Sequence, residues 1–222
     1  MPQEQFAYRA KRNTTSALLE IETSTRIGMD RGMIVSLLLV DLSAAFDCIN
    51  ADIVCGKLEL LGAKPAAVKL VRSYLTGRMS HTKINGCKSL MELIETGVGQ
   101  GSVIGPLLFL IAVICVSQVL ERAKKILKEQ YNIKMITSTD IYVKNSEDHQ
   151  CYTKSNSFAD DLTATIATLT EEQNKIVLRV LQELYIQYFA EVGLKVNIDK
   201  NEHIVISTSP RTDMNFTIAG RA

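Results

Sequence analysis

The chain has 222 residues, 46% of them hydrophobic, so it can bury one or two cores and is expected to fold as a globular domain. Its 25 basic and 24 acidic residues leave a net charge of +1, which argues against a protein that holds nucleic acid by bulk charge alone. The five cysteines form no C-x-x-C pair, the N-terminus does not resemble a secretory signal, and the longest apolar run is too short for a membrane span.

The hydrophobic pattern predicts helices and strands in the first half of the chain. The predicted elements are a helix over 15–30, a strand over 33–40, helices over 52–61 and 65–77, and an extended stretch over 90–95. Asn85-Gly86 indicates a hairpin turn, because these residue types tolerate the positive φ that a two-residue turn requires. A glycine-punctuated loop then leads to a long helix that is predicted to begin near Leu107.

The second half is predicted to hold a surface segment followed by a hairpin, a helix and a strand. Residues 117–157 are charged and then rich in Ser, Thr, Asn and Asp, so much of this stretch is predicted to be an inserted surface segment. Residues 162–166 indicate the second arm of a hairpin with the acids at its tip, 170–193 a capped helix, and 203–207 a closing strand. Together the elements predict an α+β fold, in which a small, mostly antiparallel sheet is backed by helices on one face.

Acidic residues occur at two predicted strand ends. Asp41 follows a buried strand, and Asp160 and Asp161 lie at a predicted hairpin tip. Three carboxylates that converge on one sheet edge could hold two magnesium ions, which would stabilise the attacking and leaving oxygens of a phosphoryl transfer. The alternative is a turn that uses Asp for its geometry, and an Asp-Asp pair by itself favours that alternative.

Four sequence motifs occur in the order that a known family uses. Motifs A, B, C and D of the reverse transcriptases of non-LTR (LINE-like, jockey-like) retrotransposons resemble VDLSAAFD (40–47), GVGQGSVIGPLLF (97–109), FADD (158–161) and GLKVNIDKNE (193–202). Residues 5–21 resemble the fingers segment of this family, and residues 74–86 resemble its stretch between motifs A and B. The resemblance covers nearly the whole chain, except for the segment between motifs B and C and the extreme C-terminus.

This resemblance implies a polymerase palm with partial fingers. Residues 1–32 would form the partial fingers and residues 33–222 the palm, with an inserted segment at about 117–157, while the early fingers strands and the thumb are expected to be absent. The implied activity is that of an RNA-directed DNA polymerase, which adds dNTPs to a primer 3′ end. Its partners would be an RNA template and a DNA primer, and its cofactors two magnesium ions, with manganese as a substitute. We expect an intracellular protein, in nucleus or cytoplasm, without membrane contact.

The resemblance also assigns catalytic roles by position. Asp41 of motif A and Asp160 of motif C would be metal ligands, with Asp161 as an acidic neighbour in the same site. Lys200 of motif D would protonate or neutralise the departing pyrophosphate. A surface lysine is the alternative interpretation of Lys200.

Further residues would contact the nucleotide. The ring of Phe46 would block a ribose 2′-hydroxyl, although simple core packing is its alternative. Gln100 and Gly101 of motif B would border the incoming nucleotide, where glycine permits close backbone approach. Arg9 of the fingers would grip the triphosphate with its guanidinium fork. Arg78 would lie on the template side or on a solvated face.

Two other functions remain open at this point. An RNA-dependent RNA polymerase often carries a second acid spaced as Asp47 is from Asp41, but Phe46 and the FADD motif argue against it. A truncated, catalytically inactive relic of a retrotransposon, with at most weak RNA binding, is the other. The sequence also departs from the family at Gly99, where motif B usually has proline, and this change would loosen the loop.

Overall fold

The computed structural model describes residues 3–99, 101–137 and 151–206, so Gln100 lies outside the described residues. The helices in these ranges are α1 (Thr14–Asp30), α2 (Ala51–Leu60), α3 (Pro65–Leu75), α4 (Gly105–Ala112), α5 (Gln118–Tyr131) and α6 (Glu171–Glu191). The strands are β1 (Ile34–Val40), β2 (Leu42–Ser43), β3 (Arg78–Ser80), β4 (Lys83–Ile84), β5 (Cys87–Lys88), β6 (Glu92–Ile94), β7 (Met135–Ile136), β8 (Cys151–Phe158), β9 (Asp161–Thr168), β10 (Lys195–Val196) and β11 (Glu202–Ile206). None of these helices is long and apolar enough to cross a membrane.

A five-stranded central sheet organises the fold, with the order β11-β1-β9-β8-β7. Its strands are antiparallel except for β7 and β8, which confirms the predicted mostly antiparallel sheet. β1 pairs with β9 along its whole length, from Ile34 opposite Thr168 to Val40 opposite Leu162. β8 and β9 form a hairpin that closes at Phe158 and Asp161. The acidic motif therefore lies at a hairpin tip, as predicted.

Helices cover both faces of the central sheet, whereas the sequence predicted helices on one face. Val40 and Leu162 belong to the main core, which also includes residues of α4, α5 and α6. On the opposite face, Val35 packs with Ala167 under α1, where a Cβ added to Gly28 would lie 2.6 Å from Val35 Cγ2. Because side chains alternate along a strand, β1, in which Ser36 is the one polar residue, requires mainly apolar neighbours on both faces.

Local side-chain chemistry accounts for several of the observed element boundaries. Asn13 caps α1, since its side chain accepts a hydrogen bond from the Ser16 backbone N–H at 2.8 Å. Asn85 and Gly86 have φ of +50° and +85° and join β4 to β5, which confirms the predicted hairpin turn. Thr170 caps α6 through the Gln173 backbone N–H at 3.2 Å.

Two predictions for the stretch after motif B are wrong. The long helix expected from Leu107 is two helices, α4 and α5, separated by residues 113–117. Residues 117–157 are not mainly a surface segment, because α5 buries Val119, Ala123 and Leu127 in the main core. These residues recur every fourth position, a helical stripe among charged neighbours. β7 and β8 join the central sheet, and residues 138–150 lie outside the described ranges.

Candidate functional site

The three acids of motifs A and C lie at one end of the central sheet, as predicted. Val40 pairs with Leu162, so Asp41 follows β1 at the level where Asp161 begins β9. Asp160 lies in the turn between β8 and β9. The fold therefore brings together carboxylates that are about 120 positions apart in the sequence.

The two acids of the turn line different cavities. Asp160 lines a cleft of about 480 Å³ together with Tyr8, Phe46 and Gly101. Asp161 lines a separate cavity of about 260 Å³ beside α1. Of the two, Asp160 is the carboxylate that shares a cleft with residues of motifs A and B.

Partial burial, and then the neighbouring carboxylates of Asp160 and Asp41, raise the pKa of Asp161 above its ordinary value. Burial acts because it disfavours the charged form of Asp161, and the two neighbouring negative charges act because they oppose its ionisation. A cation bound at this end of the sheet would relieve that repulsion.

The acids of motifs A and C fit a metal site in which the substrate supplies some of the ligands. Within the described ranges, no group of three or more His, Cys, Asp and Glu side chains is arranged to hold a metal ion. The predicted three-carboxylate cluster is therefore not formed by these side chains alone. Magnesium, however, is commonly bound by one or two carboxylates together with water and substrate phosphates. Asp41 and Asp160 fit that smaller set of protein ligands.

Phe46 has both a packing contact and a face on the cleft. Its ring stacks on Phe109, with ring centroids 5.0 Å apart and an angle of 29° between the rings. The side chain is half-buried and also lines the cleft that contains Asp160. The geometry is therefore compatible with both interpretations of Phe46, exclusion of a ribose 2′-hydroxyl and core packing.

Backbone hydrogen bonds hold the loop of motif B against motif A and the residues that directly follow it. Gly97 donates to the Ile49 carbonyl at 2.8 Å, and Val98 donates to the Phe46 carbonyl at 3.0 Å. Gly97 has φ of +86°, and an added Cβ would lie 2.6 Å from the backbone oxygen of Asp47. Glycine is therefore required at position 97 by both backbone conformation and space.

Gly101 lines the cleft for a different reason. Its φ is +78°, but an added Cβ would meet no described atom within 4 Å. The positive φ, rather than crowding by the protein, accounts for glycine at this position. Its partner in the sequence prediction, Gln100, lies outside the described residues.

Arg78 holds the segment that precedes motif B. Its Nε donates to the Leu75 carbonyl at 3.2 Å, and its Nη2 donates to the carbonyls of Thr96 and Gly97. The side chain is half-buried, and its guanidinium is engaged with backbone oxygens. The contact fixes the entry to the motif B loop.

The predicted phosphate-binding cations lie on two different segments, the N-terminal segment and the stretch after β10. Arg9 is half-buried and donates from Nη1 to the Gln5 carbonyl at 3.2 Å, while the adjacent Tyr8 lines the cleft. Lys200 is exposed in a short 3-10 helix, Ile198–Lys200, that follows β10. Their roles toward the triphosphate and the pyrophosphate stay predictions.

Two buried amides near the acids were not predicted from the sequence. Asn201 is 3% exposed, and its Oδ1 accepts a hydrogen bond from the Asp41 backbone N–H at 3.0 Å. Gln5 is 2% exposed and contacts the backbone of Ala159 in the acidic turn. A polar residue outside a periodic pattern carries no signal of burial, so only the packed structure identifies these two.

Comparison with known families agrees with this geometry. Residues 1–216 match the family described as "Reverse transcriptase (RNA-dependent DNA polymerase)". The chain belongs to this family.

Among curated relatives, this reverse transcriptase chain is 29% identical over 109 residues to the RNA-directed DNA polymerase from mobile element jockey of Drosophila funebris. It is 27% identical over 109 residues to the probable RNA-directed DNA polymerase from transposon BS of Drosophila melanogaster. Each alignment covers 49% of this chain and 12% of the relative, so the chain matches a small part of much longer proteins.

Solved structures of telomerases share the fold. Apo telomerase from Candida tropicalis, truncated from its C-terminal domain, superimposes with a TM-score of 0.59 and 13% identity. That superposition covers 96% of this chain and 38% of the telomerase chain. A telomerase from the same organism in complex with a telomeric RNA fragment gives a TM-score of 0.58 at 14% identity, over 96% of this chain and 32% of that one. These similarities support the palm architecture of the reverse transcriptase fold.

Proposed function

We propose that this chain carries the catalytic centre of an RNA-directed DNA polymerase from a non-LTR retrotransposon. The reaction joins a primer 3′-hydroxyl to the α-phosphate of a dNTP and releases pyrophosphate. The observation that supports it most is the single cleft lined by Asp160, Phe46 and Gly101, at the sheet end where Asp41 follows β1. Residues of motifs A, B and C thus surround one space large enough for a nucleotide.

Asp41 and Asp160 are the proposed ligands of two magnesium or manganese ions. When bound, such ions stabilise the attacking and leaving oxygens of the displacement. Hydrogen bonds to both its N–H and its carbonyl hold the backbone of Asp41 in place for this task. Its N–H donates to Asn201 Oδ1, and its carbonyl accepts from the Asn197 N–H at 2.9 Å. Asp161 would add negative charge beside the ions.

The cleft would select and hold the nucleotide. The Phe46 ring, supported from behind by Phe109, would occupy the space of a ribose 2′-hydroxyl. Gly101, with Gln100 beside it, would border the base and sugar. Arg9 would bind the triphosphate, and Lys200 would neutralise the departing pyrophosphate.

The proposed partners are an RNA template and a DNA primer. Two curated relatives are named as RNA-directed DNA polymerases, and one structural relative is a telomerase in complex with an RNA fragment. The net charge of +1 means that template contacts would be local to the palm surface. Intracellular location, in nucleus or cytoplasm, accords with a template of this kind.

Primer extension on an RNA template tests the proposal. We expect the chain to extend a DNA primer with dNTPs, and Asp41→Asn or Asp160→Asn to abolish extension while template binding stays nearly intact, because phosphate contacts elsewhere hold the template. Asp30→Asn is the matched control, since Asp30 is exposed at the opposite end of β1. Extension by Asp160→Asn would refute the assignment.

The same assay separates the alternatives. Equal use of NTPs and dNTPs would indicate an RNA polymerase. A folded wild-type chain that binds RNA but extends no primer, both by itself and when restored at both ends to the length of its relatives, would indicate an inactive relic.

A further inference from the structure

The N-terminal segment, residues 4–9, runs beside the end of β8. Ser157 donates from its backbone N–H to the Glu4 carbonyl at 2.9 Å, and Phe6 donates to the Ser157 carbonyl at 2.8 Å. Gln5 lies opposite Ser157 in this parallel pairing. The segment therefore continues the hydrogen bonding of the hairpin up to the acidic turn.

The side chain of Gln5 holds both backbone groups of Ala159. Its Oε1 accepts from the Ala159 N–H at 3.1 Å and from the Ala7 N–H at 2.9 Å. Its Nε2 donates to the Ala159 carbonyl at 3.3 Å. With 2% of the residue exposed, water does not compete for these bonds.

Ala159 needs such support because its backbone is strained. Its φ is +57°, a left-handed conformation that is costly for a residue with a Cβ and persists only where the surroundings enforce it. The next residue is Asp160, whose carboxylate lines the cleft. A change in the backbone of Ala159 would therefore move the carboxylate of Asp160.

Gln5 also contacts a second part of the site. Its backbone carbonyl accepts a hydrogen bond from Arg9 Nη1 at 3.2 Å. One buried residue is thus connected both to the turn that carries the acid and to the cation proposed for the triphosphate.

We propose that Gln5 is a positioning residue, which fixes the acidic turn so that Asp160 is held ready for its metal ion. This inference rests on the proposed function, because it assigns Gln5 a task toward the metal site. Partners that orient a metal ligand from behind typically affect metal affinity or activity about tenfold to a hundredfold when they are removed.

The test replaces Gln5 by a residue of similar length that cannot hydrogen-bond. In Gln5→Met, we expect the dissociation constant for Mn²⁺, measured by electron paramagnetic resonance, to rise about tenfold or more. The kcat of primer extension should fall by a similar factor, whereas the KM for template and primer should stay within about twofold, because the change displaces the acid and not the nucleic acid.

Asn174→Leu is the matched control. Asn174 is also a fully buried amide, and its Nδ2 donates to the Ile34 carbonyl at 3.2 Å while its Oδ1 accepts from Ser36 Oγ at 2.6 Å. It lies at the opposite end of β1 from the acids. We expect Asn174→Leu to lower the melting temperature comparably and to leave the affinity for Mn²⁺ unchanged.

Gln5→Glu provides a second variant that keeps more of the contacts. It retains an acceptor for the N–H groups of Ala7 and Ala159 but replaces the donor to the Ala159 carbonyl by a buried carboxylate oxygen that repels it. The added negative charge would by itself strengthen cation binding, so the loss of Mn²⁺ affinity that we expect in this variant reports displacement of Asp160. If both folded variants bind Mn²⁺ as wild type does, the inference is overturned while the proposed function stands. A wild-type chain that neither binds Mn²⁺ nor extends primers contradicts both.

Discussion

Replacement of Phe46 by valine tests whether this ring selects the sugar. The ring lies between Phe109 and the open cleft, so valine would remove bulk from the cleft without changing a charge or the backbone near Asp41. If the ring excludes the 2′-hydroxyl, discrimination against NTPs should fall. A steric contact that excludes one small group contributes about 1–3 kcal/mol, or roughly tenfold to two-hundredfold in relative kcat/KM.

The same substitution should lower stability by a limited amount. Loss of a fully buried phenylalanine costs about 3–5 kcal/mol, but Phe46 is only half-buried and valine keeps part of the contact with Phe109. We therefore expect a loss of about 1–2 kcal/mol, which lowers the melting temperature of a chain of this size by about 2–8 °C. A protein that remains folded is thus available for kinetic measurement.

Single-nucleotide incorporation with dNTP and NTP in parallel gives the discrimination ratio. Phe189→Val is the control, because Phe189 is 2% exposed in the core and does not line the cleft. It should destabilise the fold at least as much, with no change in the ratio. If Phe46→Val stays folded and active yet rejects NTPs as strongly as wild type, the steric role is refuted. Equal loss of both activities would assign Phe46 to packing alone.

Three further predictions concern backbone placement and the leaving group. Gly97→Ala should cost about 2–5 kcal/mol by denaturant titration, because it adds a clash with the motif A backbone to the strain of a positive φ. Gly62→Ala, with φ of +80° and no neighbour within 4 Å, should cost only about 1–2 kcal/mol. Asn201→Ala should lower kcat with little change in the KM for primer, because the Asp41 backbone loses its hydrogen bond. Lys200→Met should slow single-turnover incorporation by roughly a hundredfold without weakening template binding.

Each of these has an outcome that would contradict it. Equal destabilisation by the two glycine substitutions would mean that the contact at position 97 relaxes freely. An unchanged kcat for a folded Asn201→Ala would show that the hydrogen bond from Asn197 and the adjacent strands hold Asp41 without Asn201. Lys195→Met, at an exposed position of β10, controls for loss of a nearby charge. A rate equal in the two lysine variants would remove the proposed role of Lys200.

The sequence was sufficient for elements that depend on local chemistry. Asn85 and Gly86 form the predicted turn because the required φ is a property of the residues themselves. Thr170 caps the predicted helix for a similar reason, since its side-chain oxygen satisfies a backbone N–H group one turn away. The order of the four motifs likewise predicted the family that the comparison shows.

Tertiary structure decided which polar residues are buried and what they contact. β8 contains Thr153, Ser155 and Asn156, so its composition predicted a surface segment, yet pairing with β9 satisfies its backbone and buries these side chains. Gln5 and Asn201 have no local pattern that distinguishes them from surface residues. Their positions beside the acids follow from long-range pairing of chain segments, and that pairing is a property of the packed fold.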